Sequence, residues 1–362
     1  MSYKIIYGCK KDVNDNFLSL PHKLYKSSNL TQDYKTEYKI LNKTHKLSKY
    51  FNVVPFVVMD KTYNKPVARC MLTYYPNDNK AYFGFFESID NNEVAKLLLT
   101  SVYEQAKSDK KEKLIGPVDA SFWIKYRLKI NLFSDTPYTG EPYNKDYYYK
   151  LLMNNGFEVQ NHYTSNIYPV INKNYNNEKF QKHFEEFMHK GYEIKSPNKK
   201  DYDYTMEKIY DLIIDLYNDF PAFKYISKND FMSIFKNYKY ILDFDMVKIA
   251  YYKENIVGFF ISVPNYKNIP YNLNFKNIIK MLRIKKKPSS YIMLYIGVDK
   301  GHVGLGKALS NAIVSELKKK QVHSIGALAM DGKLTQSYAD ELIQDRYEYI
   351  LLKRKIKNEK YL

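Results

Sequence analysis

"GVDKGHVGLGKALSNAI", residues 297–313, is the stretch on which the reading of this chain turns. It holds Gly297, Gly301, Gly304 and Gly306, out of only thirteen glycines in 362 residues. The preceding "SSYIMLYIGV" (289–298) reads as an apolar strand. After the loop, apolar positions 305, 309, 312, 313 and 317 recur at helical spacing, which predicts a helix over 305–320 packed by one face on a sheet. A strand, a glycine loop and a helix N-terminus in succession make an anion site, because exposed backbone N–H groups and the positive helix end converge on one point. Glycine permits both positive φ and close approach of a phosphate. Two familiar phosphate spacings fail. In "GLGKAL", Lys307 is followed by Ala308 where a Walker loop needs Ser or Thr, and Gly304, Gly306 and Leu309 break G-x-G-x-x-G.

Working outward, the surroundings of this loop occur twice. Residues 55–75, "PFVVMDKTYNKPVARCMLTYY", and 246–264, "MVKIAYYKENIVGFFISVP", both read as strand, polar turn, strand. A further strand follows each (81–89 and 289–298), then a helix (92–111 and 305–320), then a short strand (112–119 and 322–330). Ahead of the second hairpin, 192–197 reads as a strand, and 204–220 and 227–238 as helices, with Ser227 as a cap and Asp230 in the first turn. The second half therefore runs β-α-α-β-β-β-α-β-α. The class expected is α/β, an α+β mixed sheet in two tandem copies of one module. The predicted limits are a domain over 1–175, a polar linker helix over 176–190 and a second domain over 191–362. Residues 265–290 have no counterpart in the first half. This basic insertion with a short helix suits a lid, an anion- or membrane-contacting arm, or a solvated excursion.

The loop resembles the acyl-CoA-binding motif of the GNAT N-acyltransferase family, Q/R-x-x-G-x-G/A after the fourth strand. Gly304 and Gly306 take the glycine positions, and Gly301 stands where the family has Gln or Arg. The module order is also that of the family. In the first half "NKDYYYKLLMNNGFEV" (144–159) resembles the family's closing segment, and in the second "DGKLTQSYADEL" (331–342) places Tyr338 seven residues after Asp331. The whole is similar to a group of bacterial two-domain GNAT proteins with no assigned substrate.

The resemblance implies an acyl-CoA donor, acetyl-CoA first among them, and an amine acceptor, with no metal. Its cofactor-binding positions here are Ile296, Val298, Gly301, His302, Val303, Gly304, Leu305, Gly306 and Lys307. Backbone amides from Ile296 to Val298 would polarise the thioester, and Tyr338 would protonate the leaving thiolate. Glu141, in the "TGEPYN" loop, is the candidate base. Asp299 is expected to cap the loop, and His302 to donate to phosphate. In the first half the corresponding loop is "ESIDNNEVA" (87–95), with no glycine and three carboxylates, Glu87, Asp90 and Glu93, so that copy is expected to be degenerate. The "SFWIKYR" cluster around Trp123 suits an acceptor ring or carboxylate as well as a core.

Composition bounds the remaining classes. An apolar content of 45% with 27% charged residues describes a soluble globular chain. No apolar run approaches the roughly 18 residues of a membrane span. The N-terminus lacks a secretory pattern, and Cys9 and Cys70 form neither a disulfide framework nor a zinc motif. The expected compartment is the cytoplasm. Among the seven histidines there is no HxH or HExxH spacing, and His183 and His189 are expected at the surface. The net charge of +18 favours an anionic partner (nucleic acid, a membrane surface or a phosphorylated cofactor) but also fits a chain rich in Lys, Asn, Tyr and Ile. Two further readings stay open. One is an aminoacyl-tRNA-dependent transferase of the tandem GNAT type, although its helical hairpin arm is not found. The other is a non-catalytic anion- or nucleic-acid-binding protein on the same scaffold, without an aromatic RNA-binding signature. Oligomeric state is not encoded in any of these features.

Overall fold

The structure is a computed structural model that describes residues 2–332 and 339–357. The chain divides into two compact units, residues 1–162 with 348–362, and residues 163–347.

Unit 1 opens with β1 (Tyr3–Tyr7), α1 (Lys11–Leu24) and α2 (Tyr34–Leu41). The predicted hairpin follows as β2 (Asn52–Asp60) and β3 (Lys65–Tyr74), and then come β4 (Lys80–Ser88), α3 (Asn92–Ser108), β5 (Lys113–Gly116), β6 (Leu128–Lys129) and α4 (Tyr148–Asn154). β7 (Glu158–Tyr168) carries the chain out of unit 1 after His162.

Unit 2 contains α5 (Glu178–His189), β8 (Tyr192–Lys195), α6 (Tyr202–Tyr217), α7 (Lys228–Phe235) and α8 (Tyr238–Ile241). The second hairpin is β9 (Val247–Tyr252) and β10 (Asn255–Pro264). α9 (Phe275–Lys286), β11 (Ser290–Val298), α10 (Leu305–Lys320), β12 (His323–Met330) and β13 (Asp345–Lys355) complete the chain, with β13 returning to unit 1 at Glu348. Ser227 caps α7 as expected, its hydroxyl accepting from the Asp230 N–H.

The strand order is β1-β2-β3-β4-β5-β13 in unit 1, with β6 beside β13, and β7-β12-β11-β10-β9-β8 in unit 2. Neighbours are antiparallel except β4 with β5 and β11 with β12, which a crossover helix joins in parallel.

These limits differ from the predicted ones in two places. The last strand does not stay with the second module: Ile350, Leu352 and Ile356 lie in the apolar core of unit 1, beside Phe83, Leu98 and Leu152. Nor is the polar stretch 176–190 a linker. Phe187 of α5 is buried, with Phe184 and Met188 against it, in the same core as Leu305, Leu309 and Ile313 of α10. Every third or fourth residue of an otherwise polar helix is enough to anchor one face. No described helix is long and apolar enough to cross a membrane.

Candidate functional site

In unit 2 the parallel pairing of β11 with β12 runs only from Ser290–His323 to Met293–Gly326. The other edge of β11 breaks register at the same height, because Ile261 faces Tyr295 while Ser262 faces Met293, which leaves Leu294 in a bulge. A bulge re-aims a strand, and here it coincides with the point where the two parallel strands part. β11 then ends at Val298, the Asp299 N–H bonds back to Val257 O, and the chain turns through residues 299–304 into α10.

The turn is held by main-chain bonds from the His302 N–H to Asp299 O (2.9 Å) and from the Leu305 N–H to His302 O (3.1 Å). Gly304 is the N-cap, with φ of +98°, a region that L-residues avoid. A Cβ there would also stand 2.9 Å from Cδ2 of His183 and 3.5 Å from Cε2 of Phe187, both on α5. His189 is exposed as expected, whereas His183 is half-buried. Its ring lies on the loop, with Nδ1 bonded to Lys179 O. Gly304 is explained first by backbone conformation and helix packing.

The remaining cofactor-binding candidates separate by side. Leu305 and Gly306 are buried on the inner face of α10, and the Ser310 hydroxyl donates to Gly306 O. Ile296 and Val298 pack their side chains against the same core, so only their backbone can serve a ligand. Lys307 is half-buried. His302 does not present its ring to the loop's open side: Nδ1 shares a 2.6 Å hydrogen bond with the Tyr192 hydroxyl, and Tyr192 and Tyr252 flank the imidazole edge-on. Nε2 stands 3.9 Å from the Asp299 carboxylate. The outer side is bare. Val303 is 87% exposed, and a Cβ at Gly301 would meet nothing within 4 Å. The loop thus has a packed side toward α5 and an open side at Gly301–Val303. Tyr338 lies outside the described residues.

Glu141 is not where an acceptor amine could reach it. Its carboxylate accepts from Lys129 Nζ (2.7 Å), from the Tyr349 hydroxyl (2.7 Å) and from the Tyr138 N–H (3.2 Å), and both charged side chains are buried. Burial pushes the Glu141 pKa up against the opposing pull of Lys129. This is a structural ion pair that ties the 141 loop to the returning strand β13.

Unit 1 repeats the geometry and then closes it. β4 and β5 pair in parallel only as far as Tyr82–Ile115, and Phe85 and Phe86 bulge opposite Cys70. Here the opening is filled by the chain itself. The Val118 N–H bonds to Phe83 O (2.7 Å), and the Phe85 N–H donates to the Asp119 carboxylate (2.6 Å), which also faces Lys125. The approach is so close that a Cβ on Gly84 would fall 1.9 Å from Val118 O. At the head of α3, Asn91 accepts from the N–H groups of Glu93 and Val94 and so occupies the donors that an anion would need.

Unit 1 nevertheless holds a half-open polar pocket of about 50 Å³, room for a few waters, lined by Tyr25, Gln32, Arg69, Glu87, Asp119 and Arg127 among others. Arg69 forks onto Glu37 (2.7 and 3.2 Å) and lies 3.9 Å from Glu87, which accepts from the hydroxyls of Tyr25 (2.8 Å) and Tyr148 (2.6 Å). Burial raises the Glu87 pKa, with Arg69 acting the other way. Gln32 Oε1 and Arg69 Nε are buried without a protein hydrogen-bond partner. This cluster was not singled out in the sequence, although a charge inside each of two apolar strands, "KPVARCMLTYY" and "AYFGFFESI", was the signal available. This pocket and the glycine loop thus lie in different units. The glycine loop leaves Gly301 and Val303 open to solvent, whereas in unit 1 Asn91 and Asp119 take the corresponding amides. Trp123 stacks edge-on against Phe122, beside Tyr126, and does not line the pocket. Among the described residues no group of three or more His, Cys, Asp or Glu could hold a metal ion.

No family model and no curated protein sequence matches the chain. Solved structures do. A tandem GNAT protein from the clavulanic acid biosynthesis pathway superposes with a TM-score of 0.55 at 9% identity, covering 99% of this chain and 100% of its own. A conserved protein from Enterococcus faecalis V583 gives 0.50 at 10% identity over 98% of this chain and 73% of its own. A GCN5-related N-acetyltransferase from Anabaena variabilis ATCC 29413 gives 0.50 at 6% identity over 96% and 72%. At such identities the likeness is one of architecture, and the architecture of this chain is the tandem GNAT fold.

Proposed function

We propose that this protein is an acyl-CoA-dependent N-acyltransferase whose working donor site is in unit 2, with an amine as acceptor and acetyl-CoA as the donor to test first. One observation carries the reading: β11 bulges at Leu294, parts from β12, and runs into a loop whose Gly301–Val303 side is open at the head of α10. A pyrophosphate on that side would meet the N-terminal dipole and first-turn amides of α10. The acyl group would then point back along the separated strands toward the amides of Ile296–Val298. Tyr338 is the residue proposed to protonate the thiolate. Unit 1 serves as support, since Asn91 and Asp119 occupy the donors at its two equivalent positions.

Calorimetric titration of the full chain with acetyl-CoA tests the donor site. Gly301→Val places bulk on the open side, where an added Cβ meets nothing within 4 Å, so it should weaken acyl-CoA binding about tenfold and change stability little. Absence of binding to any acyl-CoA would sink the proposal. Tight binding of aminoacyl-tRNA in its place would favour the transferase of that type. With an acceptor found, Tyr338→Phe should lower kcat without weakening donor binding, as expected for an acid used only in the transition state.

A further inference from the structure

Residues 265–290 are unlike the rest of the chain in charge and in what they expose. They contain seven cations, Lys267, Lys276, Lys280, Arg283, Lys285, Lys286 and Lys287, and no Asp or Glu. Within them α9 has a buried face at Met281, where it is anchored to the domain. On another face, Phe275 is 80% exposed, Ile278 47% and Leu282 59%, with Leu273 exposed just before the helix. Positions 275, 278 and 282 share one stripe at helical spacing, so the three apolar side chains form a row and not a scatter. Lys276, Lys280, Arg283 and Lys286 are exposed alongside it.

The surroundings extend the pattern. Lys285 donates to Tyr240 O on α8, and the exposed Tyr240 ring has Lys199 and Lys239 beside it. The nearby carboxylates are already engaged, Asp203 with Lys239 and Asp243 with Lys320. The face therefore combines a short apolar row, an exposed tyrosine and a cationic border in which Lys239 is paired with Asp203.

We propose that α9 docks this unit on an anionic lipid bilayer, lying in the plane of the interface with Phe275, Ile278 and Leu282 at the acyl boundary and the lysines among the headgroups. An amphipathic helix with a cationic polar face and large apolar residues on the other binds in this way. A second copy of the chain would bring the same cations against their like, which opposes self-association through this face. Nucleic acid would satisfy the lysines but would leave Ile278 and Leu282 in water. A bilayer with acidic headgroups satisfies both.

The test uses the full chain in sedimentation with vesicles of phosphatidylcholine alone and with about one third phosphatidylglycerol. Binding should be confined to the acidic vesicles and fall as salt shortens the screening length. Each cation near such a surface is worth about fivefold in partitioning, so Lys276→Gln with Lys280→Gln should lose about 25-fold. Phe275→Ala and Leu282→Ala should each lose about tenfold, at unchanged thermal stability, because both side chains are exposed. Equal binding to neutral and acidic vesicles overturns the proposal, as does binding that survives both apolar substitutions. Capture of RNA through the same residues with no vesicle binding overturns it too. Acyl-CoA titration of the same variants should be unaltered, so this outcome is independent of the donor-site reading.

Discussion

A Gly304→Ala substitution should destabilise unit 2 with no ligand present. Two costs arise from the geometry. At φ of +98° an L-residue is held in the left-handed region, for about 1–2 kcal/mol. The added methyl also falls 2.9 Å from Cδ2 of His183, whose Nδ1 is bonded to Lys179 O and so resists swinging away, and overpacking of this kind adds about 1–3 kcal/mol. Together they come to about 2–5 kcal/mol. Trp123, the only tryptophan, is in unit 1, so its fluorescence does not follow the affected region. Hydrogen exchange over 305–320 does, because it reads the opening free energy of α10 directly. His183→Ala placed on top of Gly304→Ala should return the steric share and leave the backbone share, a coupling that a double-mutant cycle isolates. If Gly304→Ala exchanges within about 0.5 kcal/mol of the parent, or His183→Ala returns nothing, the packing account of this glycine is refuted. Loss of acyl-CoA binding in a Gly304 variant therefore does not diagnose a phosphate contact, whereas loss in Gly301→Val does.

Lys129→Met should leave the Glu141 charge buried without its partner and cost about 3–5 kcal/mol, seen as an earlier urea transition in Trp123 fluorescence, and adding Glu141→Leu should return most of it. Glu141→Gln should keep turnover per folded molecule; a loss of about a hundredfold at intact stability would restore it as a base. Asp119→Ala strips the acceptor from the Phe85 N–H and should cost unit 1 about 1–3 kcal/mol, read by the same fluorescence. Burial pulls the Asp243 pKa up, but the Tyr291 hydroxyl and Lys320 outweigh it and hold the group below its ordinary 3.8. Glu316 is likewise held below 4.5 by Lys248 and Lys319 against burial. For groups lowered in the folded state, the stabilisation is complete above those ordinary values and is lost as pH falls through the lowered ones. Unit 2 should therefore weaken in acid, and Lys320→Gln should flatten the Asp243 part of that loss in a pH series of thermal melts.

Much of the fold was legible because local rules act at short range. The duplicated hairpin, the helix over 305–320 and the Ser227 cap depend on periodicity and on neighbours three or four residues away, and the structure has each of them. The loss of the glycine loop in "ESIDNNEVA" was equally visible, and Asn91 supplies the physical form of that loss. The site was less legible, since side-chain roles depend on partners far along the chain. Glu141 looked available until Lys129 and Tyr349 were placed around it, the last of them 208 residues away. Nor does sequence spacing show that Tyr192, 110 residues earlier, takes Nδ1 of His302.

By itself, then, the sequence determined the module, its repetition and which copy kept an open glycine loop, all properties of contiguous residues. Only the tertiary structure decided that β13 completes the core of unit 1, that α5 is what Gly304 accommodates, and that the apolar row of α9 faces solvent. Those are outcomes of long-range packing. A strand or helix face carries the same residues whether it meets its own module, another segment or water, and only the assembled chain shows which.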